Sequence, residues 1–278
     1  MAVGPLKAAP RWSVVVPYYN ERQHIAVCLQ SLARQSVPFR LILVDNGSND
    51  GSSELAALIC HDAGLDAVIV HEGRPGKVAA LQCGLQAVTT ELVATCDADT
   101  IYPPDYLARA TALLEHPGVV AAIAATAAPR APRWRRRLAG MRLELTARAL
   151  PQQCLNGGAG QVFRTAGLRA AGGFDPQIWN WVLEDHEIIA RLERHGSIAY
   201  HRHFLCHPAA RPRRCGSVGW RLAERLRYHA TDPGERVAFF HAWLGPRMRR
   251  RALTSDRLRR EAPHFGPIGD IAALYPLR

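Results

Sequence analysis

The N-terminal part of the chain alternates short apolar runs with stretches whose apolar positions recur at helical spacing. Residues 12–16 (WSVVV), 40–44 (RLILV), 67–70 (AVIV) and 92–96 (LVATC) are β-branched or apolar almost throughout and read as strands. Between them, residues 21–36 and 77–88 carry the 3.6-residue period. A third helix opens near Ser52, which reads as its N-cap, with Leu55, Leu58 and Ile59 on the inner face. Strands that are apolar on both faces and alternate with helices predict a parallel sheet covered on both sides. A helix over residues 104–115 and an apolar strand over 119–126 extend the same unit.

Beyond it the pattern changes. Residues 128–133 are rich in proline and arginine and read as a linker, leading into a basic helix over residues 133–150. Residues 157–173 are glycine-rich. A strong helical period then runs from Glu184 to His195, stopped by Gly196. Residues 198–206 read as a strand. From Arg211 onward the chain is arginine-rich and helical in pattern, with no visible core of its own.

Charge narrows the partners. A formal net charge of +11 favours acidic ones: nucleotide diphosphates, anionic lipid surfaces or nucleic acid. Nucleic acid is not expected, because the charge sits mainly in the tail without interleaved aromatic residues or a reading helix. The seven cysteines are odd in number and contain no C-x-x-C pair, which fits reduced, buried thiols better than a disulfide framework or zinc site. No apolar run reaches the roughly 20 residues of a membrane span, and the first residues lack a signal peptide's apolar core. The expected location is cytoplasmic, with peripheral attachment at the inner face of the membrane as an option.

Several chemistries are missing. There is no G-x-G-x-x-G after the first strand, no phosphate-binding P-loop, no serine nucleophile elbow and no H-E-x-x-H. Polar clusters instead follow three strands: Tyr19-Asn20-Glu21, Asp45-Asn46 and Asp97-Ala98-Asp99. Ligands of parallel sheets bind beyond such strand ends. Asp97 and Asp99 suit a hard cation, Mg²⁺ or Mn²⁺, although aspartates in this pattern also serve turns. Asp185 shares a helical stripe with Ile188, Ile189 and Leu192. With Glu184 it either complements the helix dipole or supplies an inward-facing general base.

Taken in order, these segments resemble the family 2 glycosyltransferases of the GT-A fold. Residues 16–21 (VPYYNE) look like that family's opening P-x-Y-N-E, and residues 44–52 (VDNGSNDGS) like its V-D-D-G-S-x-D-G-[ST]. Residues 76–81 (GKVAAL) are similar to its G-K-x-x-A-L, and Asp97-Ala98-Asp99 stands where its D-x-D belongs. Phe163-Arg164, residues 172–175 (GGFD) and Glu184-Asp185 follow in the family's order.

The resemblance implies a GT-A-type α/β/α sandwich with a mostly parallel central sheet over residues 1–210. Residues 12–127 would be the nucleotide-binding half and 128–210 the acceptor half; the resemblance ends near Pro208, and residues 211–278 are read from their own pattern as a basic, mainly helical extension packed on them. It implies inverting transfer of a sugar from a nucleotide-diphosphate donor, with a UDP-sugar expected, to a hydroxyl on a glycan or lipid-linked acceptor. Pro17, Tyr19, Glu21, Asp45 and Asn46 would frame base and ribose, and Lys77 would lie near the nucleotide. Asp97, Ala98 and Asp99 would border nucleotide and metal, and Gly157, Gly158 and Gly160 would let backbone approach the donor sugar. Asp185, beside Glu184, would deprotonate the acceptor.

One departure stands out: Asn46 replaces a second aspartate common in the family. A nucleotidyltransferase or nucleotide-sugar hydrolase would use the same fold, but neither needs a base at Glu184-Asp185. Four further readings complete the expectations. His207 joins the metal shell or is a satisfied histidine. Trp179 and Trp181 stack on the acceptor or pack under the helix. Arg211, Arg213 and Arg214 close over the diphosphate or form a solvated loop. The basic segments 133–142 and 247–260 dock on an anionic membrane, face solvent or meet a partner protein.

Overall fold

The computed structural model describes residues 9–209 and 219–257. Seven strands form one sheet in the order β3-β2-β1-β4-β8-β6-β9. These are β1 (Trp12–Tyr18), β2 (Phe39–Asp45), β3 (Ala67–His71), β4 (Leu92–Cys96), β6 (Val119–Ile123), β8 (Gly160–Arg164) and β9 (Ser197–Ala199). All adjacent pairs run parallel except those of β8, which is antiparallel to β4 and β6. A smaller sheet, β5-β10-β7, joins β5 (Thr100–Ile101), β10 (Leu205–Pro208) and β7 (Ala125–Thr126) at the strands' C-terminal side.

The strands' two-sided apolarity accounts for the layering, because successive side chains point to opposite faces. Val14 and Val16 pack with Ile25, Leu29 and Leu32 of α1 (Ile25–Leu32) and Leu107 of α4 (Tyr106–Leu114). Val15, Ile42 and Val44 face the other way. They pack with Val78 and Leu81 of α3 (Lys77–Gln86), Leu168 of α6 (Thr165–Ala170), and Ile188 and Ile189 of α7 (Glu184–Leu192). The expected α/β/α sandwich is present.

Several boundaries differ from the sequence expectation. The first helix begins only at Ile25; the residues before it form a turn whose Asn20, Glu21 and Arg22 N–H groups are bound by the side chains of Ser48, Ser52 and Asp50, respectively. Ser52 is thus not the cap of α2 (Ser52–Asp62). It is the first residue of that helix, preceded by Gly51 in the left-handed region (φ 80°), and its hydroxyl staples the two loops together. Leu58 points to solvent at 57% exposure, while Leu55 and Ile59 pack inward.

The strand expected over residues 119–126 breaks at Ala124, whose N–H bonds to Gly160, and continues as β7 in the small sheet. The strand expected over residues 198–206 breaks likewise into β9 and β10. The glycine-rich stretch hides β8 and α6. Gly160 serves packing here: a Cβ would sit 2.8 Å from both Ala124 Cβ and Cys206 Sγ.

The C-terminal part does have a core. Tyr228 of α8 (Leu222–Ala230) joins Phe239, Phe240, Leu244 and Met248, which lie on a continuous helical run. That run is α9 (Arg236–Ala238), a π-helical turn over Phe239–Leu244 and α10 (Gly245–Arg250). Together they cover Trp179 and Ala190 in the 12–209 body.

Candidate active site

The parallel register brings the polar strand ends level, pairing Tyr18 with Asp45. The Asp45 carboxylate accepts from Ser48 N–H (2.8 Å) and the Ser53 hydroxyl (2.8 Å), and lies 3.3 Å from His71 Nδ1. Glu21 meets His24 at 3.1 Å. Asn46 departs from its expected role in reading a base. Its amide donates to the carbonyls of Glu72 (3.0 Å) and Arg74 (2.7 Å) and accepts from Gly76 N–H (2.8 Å). The side chain is thereby consumed in fixing the loop that launches α3. An aspartate could not donate those two bonds, which explains the asparagine.

That loop delivers Lys77, the first residue of α3, into the crevice. Its Nζ is 2.8 Å from Asp97 Oδ1 and 3.3 Å from Glu184 Oε1, joining the end of β4 to the start of α7. Burial opposes the ammonium charge, but Asp97, Glu184 and Asp185 outweigh it and hold the Lys77 pKa above the usual lysine value. Burial also raises the Glu184 pKa, against the pull of Lys77. Asp97 is fixed from below: its N–H bonds to the Tyr102 hydroxyl (2.8 Å), which donates to Ala159 O (2.6 Å). The Ala98 side chain turns into the core at 4% exposure, so it packs and does not line the crevice as expected.

Asp185 occupies the opposite wall. Its Oδ1 accepts from the His186 N–H and lies 2.9 Å from His186 Nδ1. Its Oδ2 faces the glycine turn, where a Cβ on Gly157 would be 3.0 Å away and one on Gly158 would be 3.4 Å away. A Cβ on Gly158 would also stand 3.4 Å from Lys77 Nζ, so the glycines keep this space clear. Burial alone would raise the Asp185 pKa, but His186 and Lys77 outweigh it and bring it to about 2. Burial disfavours the His186 imidazolium in turn, yet Cys154 and Asp185 hold its pKa well above the ordinary value. The Gln161 amide, on β8, donates to Asp185 O at 3.0 Å and pins α7 to the sheet.

Pro17, Lys77, Asp97, Gly158, Glu184 and Asp185 line one cavity, together with Leu81, Thr95, Cys96, Gln161 and Phe174. The sequence reading missed His186, Gln161 and Tyr102. His186 adjoins the acidic pair, the one local cue available. Gln161 and Tyr102 act through a strand and a turn whose placement only the fold reveals.

Other expectations separate. Trp179 is 3% exposed, with its ring edge-on to Phe240 and its Nε1–H bonded to Val182 O (3.1 Å), so it is core and not an acceptor platform. Trp181 is half-buried against the same cluster, with Arg249 over its ring. Arg211, Arg213 and Arg214 lie outside the described residues.

His207 sits on β10 opposite Ile101, and two residues on, the Ala209 N–H bonds to Asp99 O. Its Nδ1 lies 3.0 Å from Ala127 O, a carbonyl that can only accept. Burial lowers its pKa and favours the neutral ring, and with Nδ1 donating to that carbonyl the lone pair is on Nε2. Among the described residues no three carboxylate, thiol or imidazole groups converge as a ready cation cage. Asp97 and Asp99 carry the hard oxygen donors that Mg²⁺ or Mn²⁺ takes together with phosphate oxygens and water.

Residues 13–171 match the family model described as Glycosyl transferase family 2. An undecaprenyl-phosphate 4-deoxy-4-formamido-L-arabinose transferase of Serratia proteamaculans is 31% identical over 118 residues, 41% of this chain and 35% of its own. The curated relatives are matched over 33% to 44% of their length. A mannosyltransferase from Pyrobaculum calidifontis, solved with GDP-Man and Mn²⁺, shares the fold with a TM-score of 0.62 at 23% identity, covering 81% of this chain and 61% of that one. TarS from S. aureus, solved with UDP-GlcNAc, does so at 0.54 and 19% identity, covering 91% and 76%. The match to the family model spans more than half of the sequence, and the chain belongs to glycosyl transferase family 2.

Proposed function

We propose that this chain transfers a sugar, with inversion, from a nucleotide-diphosphate donor to an acceptor hydroxyl. The observation that carries this reading is the facing pair of groups in the crevice. Lys77 and Asp97 stand on the nucleotide side, and Asp185 Oδ2 lies across the Gly157-Gly158 turn. The cationic end of Lys77 attracts the diphosphate. Asp185 is ionised at neutral pH, its Oδ1 is occupied by His186, and Oδ2 receives the acceptor proton as the hydroxyl attacks the anomeric carbon. Attack from the face opposite the departing diphosphate gives inversion.

Asp97 and Asp99, with His207, would hold Mn²⁺ or Mg²⁺, which supplies Lewis-acid stabilisation of the leaving diphosphate when bound. A UDP-sugar is the proposed donor and a glycan or lipid-linked hydroxyl the proposed acceptor. The Serratia relative's undecaprenyl-phosphate substrate supports the lipid-linked choice. The solved neighbours carry GDP-Man or UDP-GlcNAc, so the base is tested by comparing both nucleotide classes.

Product analysis tests the reaction. With an acceptor present, wild type should give a glycoside and a nucleoside diphosphate. Free sugar as the sole product would favour the hydrolase reading. A nucleoside monophosphate with sugar 1-phosphate would point to cleavage within the diphosphate.

A further inference from the structure

Helix α5 (Arg133–Ala149) is an excursion between β7 and β8, and among the described residues its outer face carries the longest line of exposed apolar side chains. Trp134, Leu138, Met141 and Leu145 are 61%, 45%, 43% and 58% exposed. Their spacing of four, three and four residues places them in one line along the helix. Arg137 and Arg148 border this ridge on one side and Arg135 and Arg142 on the other, all exposed. Glu144 is the helix's one acidic residue, and it is neutralised by Arg202 (2.9 Å) and Arg148 (2.8 Å). The opposite face is fixed to the body: Gly140 lies against the carbonyl of Arg202, where a Cβ would collide. The apolar ridge therefore cannot roll inward.

We propose that α5 seats the protein on an anionic lipid bilayer, with the four apolar side chains entering the headgroup region and the flanking arginines meeting lipid phosphates. An apolar line with cationic borders and no free acid has the complementarity of an interfacial helix. A protein partner would need its own acidic rims on both sides of the ridge.

The placement has a consequence for the acceptor. Where the excursion returns, Asn156 binds the Ala124 carbonyl and meets the Thr126 hydroxyl at 3.2 Å, immediately before Gly157 and the Asp185 crevice. Along the chain, α5 is thus tied to the glycine turn that faces Asp185. The benefit to a lipid-linked acceptor rests on the function proposed above, whereas the docking itself does not.

The test uses the whole chain without any nucleotide sugar, so its failure is separate from failure of the transfer reaction. Wild type and a Leu138→Ser/Leu145→Ser variant are co-sedimented with phosphatidylglycerol/phosphatidylcholine vesicles and with phosphatidylcholine alone, after equal melting temperatures are confirmed. Wild type should bind the anionic vesicles at low salt and bind the neutral ones more weakly. The variant, with every charge kept, should bind at least tenfold less. Vesicles with brominated acyl chains should quench wild-type emission more than that of a Trp134→Phe variant. No wild-type binding to anionic vesicles, or binding unchanged by the leucine replacements, would overturn the proposal. Concentration-dependent dimerisation abolished by those replacements, without vesicle binding, would assign the ridge to a second copy and overturn it too.

Discussion

At the scale of the residue, the site is a set of charges held by named partners, with Lys77 shared between Asp97 and Glu184 and Asp185 set against His186. Asn46 illustrates how a departure from a motif has a local cause. Replacing it with aspartate would set a carboxylate against the Glu72 and Arg74 carbonyls in a buried position. Asn46→Asp should cost about 2–4 kcal/mol in chemical denaturation, with part of the loss felt at Lys77. Asp185→Asn should lower transfer by about 10²–10⁴-fold while leaving donor binding near wild type, separable by product assay and calorimetry. His186 gives a pH signature. Its raised pKa contributes stability that is full below the unfolded value near 6.5 and lost as pH rises through the folded value. The melting-temperature gap between wild type and His186→Gln should therefore be widest at about pH 6 and shrink as pH rises. A constant gap would mean that the imidazolium is not what stabilises the helix start.

At the scale of the element, short loops fastened by side chains do the positioning. The 46–52 loop captures the backbone of residues 20–22, and Gln161 and Tyr102 tie α7 and Asp97 to the sheet. Gly160→Ala would drive a methyl into Ala124 and Cys206 and should cost about 1–3 kcal/mol in thermal or chemical melts. Periodicity and turn chemistry made β1 to β4 and their helices legible in the sequence, because each strand is a short, largely apolar run and three of the four end in a polar cluster. β8 was not legible, since Gly160 and Gln161 break the apolar run and its antiparallel direction comes from the fold. The strands over 119–126 and 198–206 read as continuous for a related reason: composition does not record the point at which a strand changes sheets. Asp97, Lys77 and Asp185 were legible from motif order, but the Lys77 bridge between Asp97 and Glu184 joins segments over a hundred residues apart in sequence.

At the scale of the molecule, two faces carry the function. In the proposed reaction the carboxyl ends of β1, β2 and β4 would take the nucleotide, and α7 with its glycine turn would take the acceptor. The C-terminal helices brace α7 from behind. His241, in the π-helical turn, meets the buried Glu187 at 2.9 Å, and Glu187 is also paired with Arg191. The aromatic cluster around Trp179 and Phe240 seals that contact. The sequence reading saw arginines there and no core, because the core is shared: its partners Trp179 and Ala190 lie in the preceding domain. No described helix is long and apolar enough to cross a membrane.

The most direct test of the central claim is isothermal calorimetry of UDP- and GDP-sugars, with and without Mn²⁺, on wild type and an Asp97→Asn/Asp99→Asn variant. Wild type should bind one nucleotide class, UDP-sugars first, in a Mn²⁺-dependent way, and the folded variant should lose that binding. Folded wild type that binds no nucleotide sugar under any of these conditions would contradict that claim.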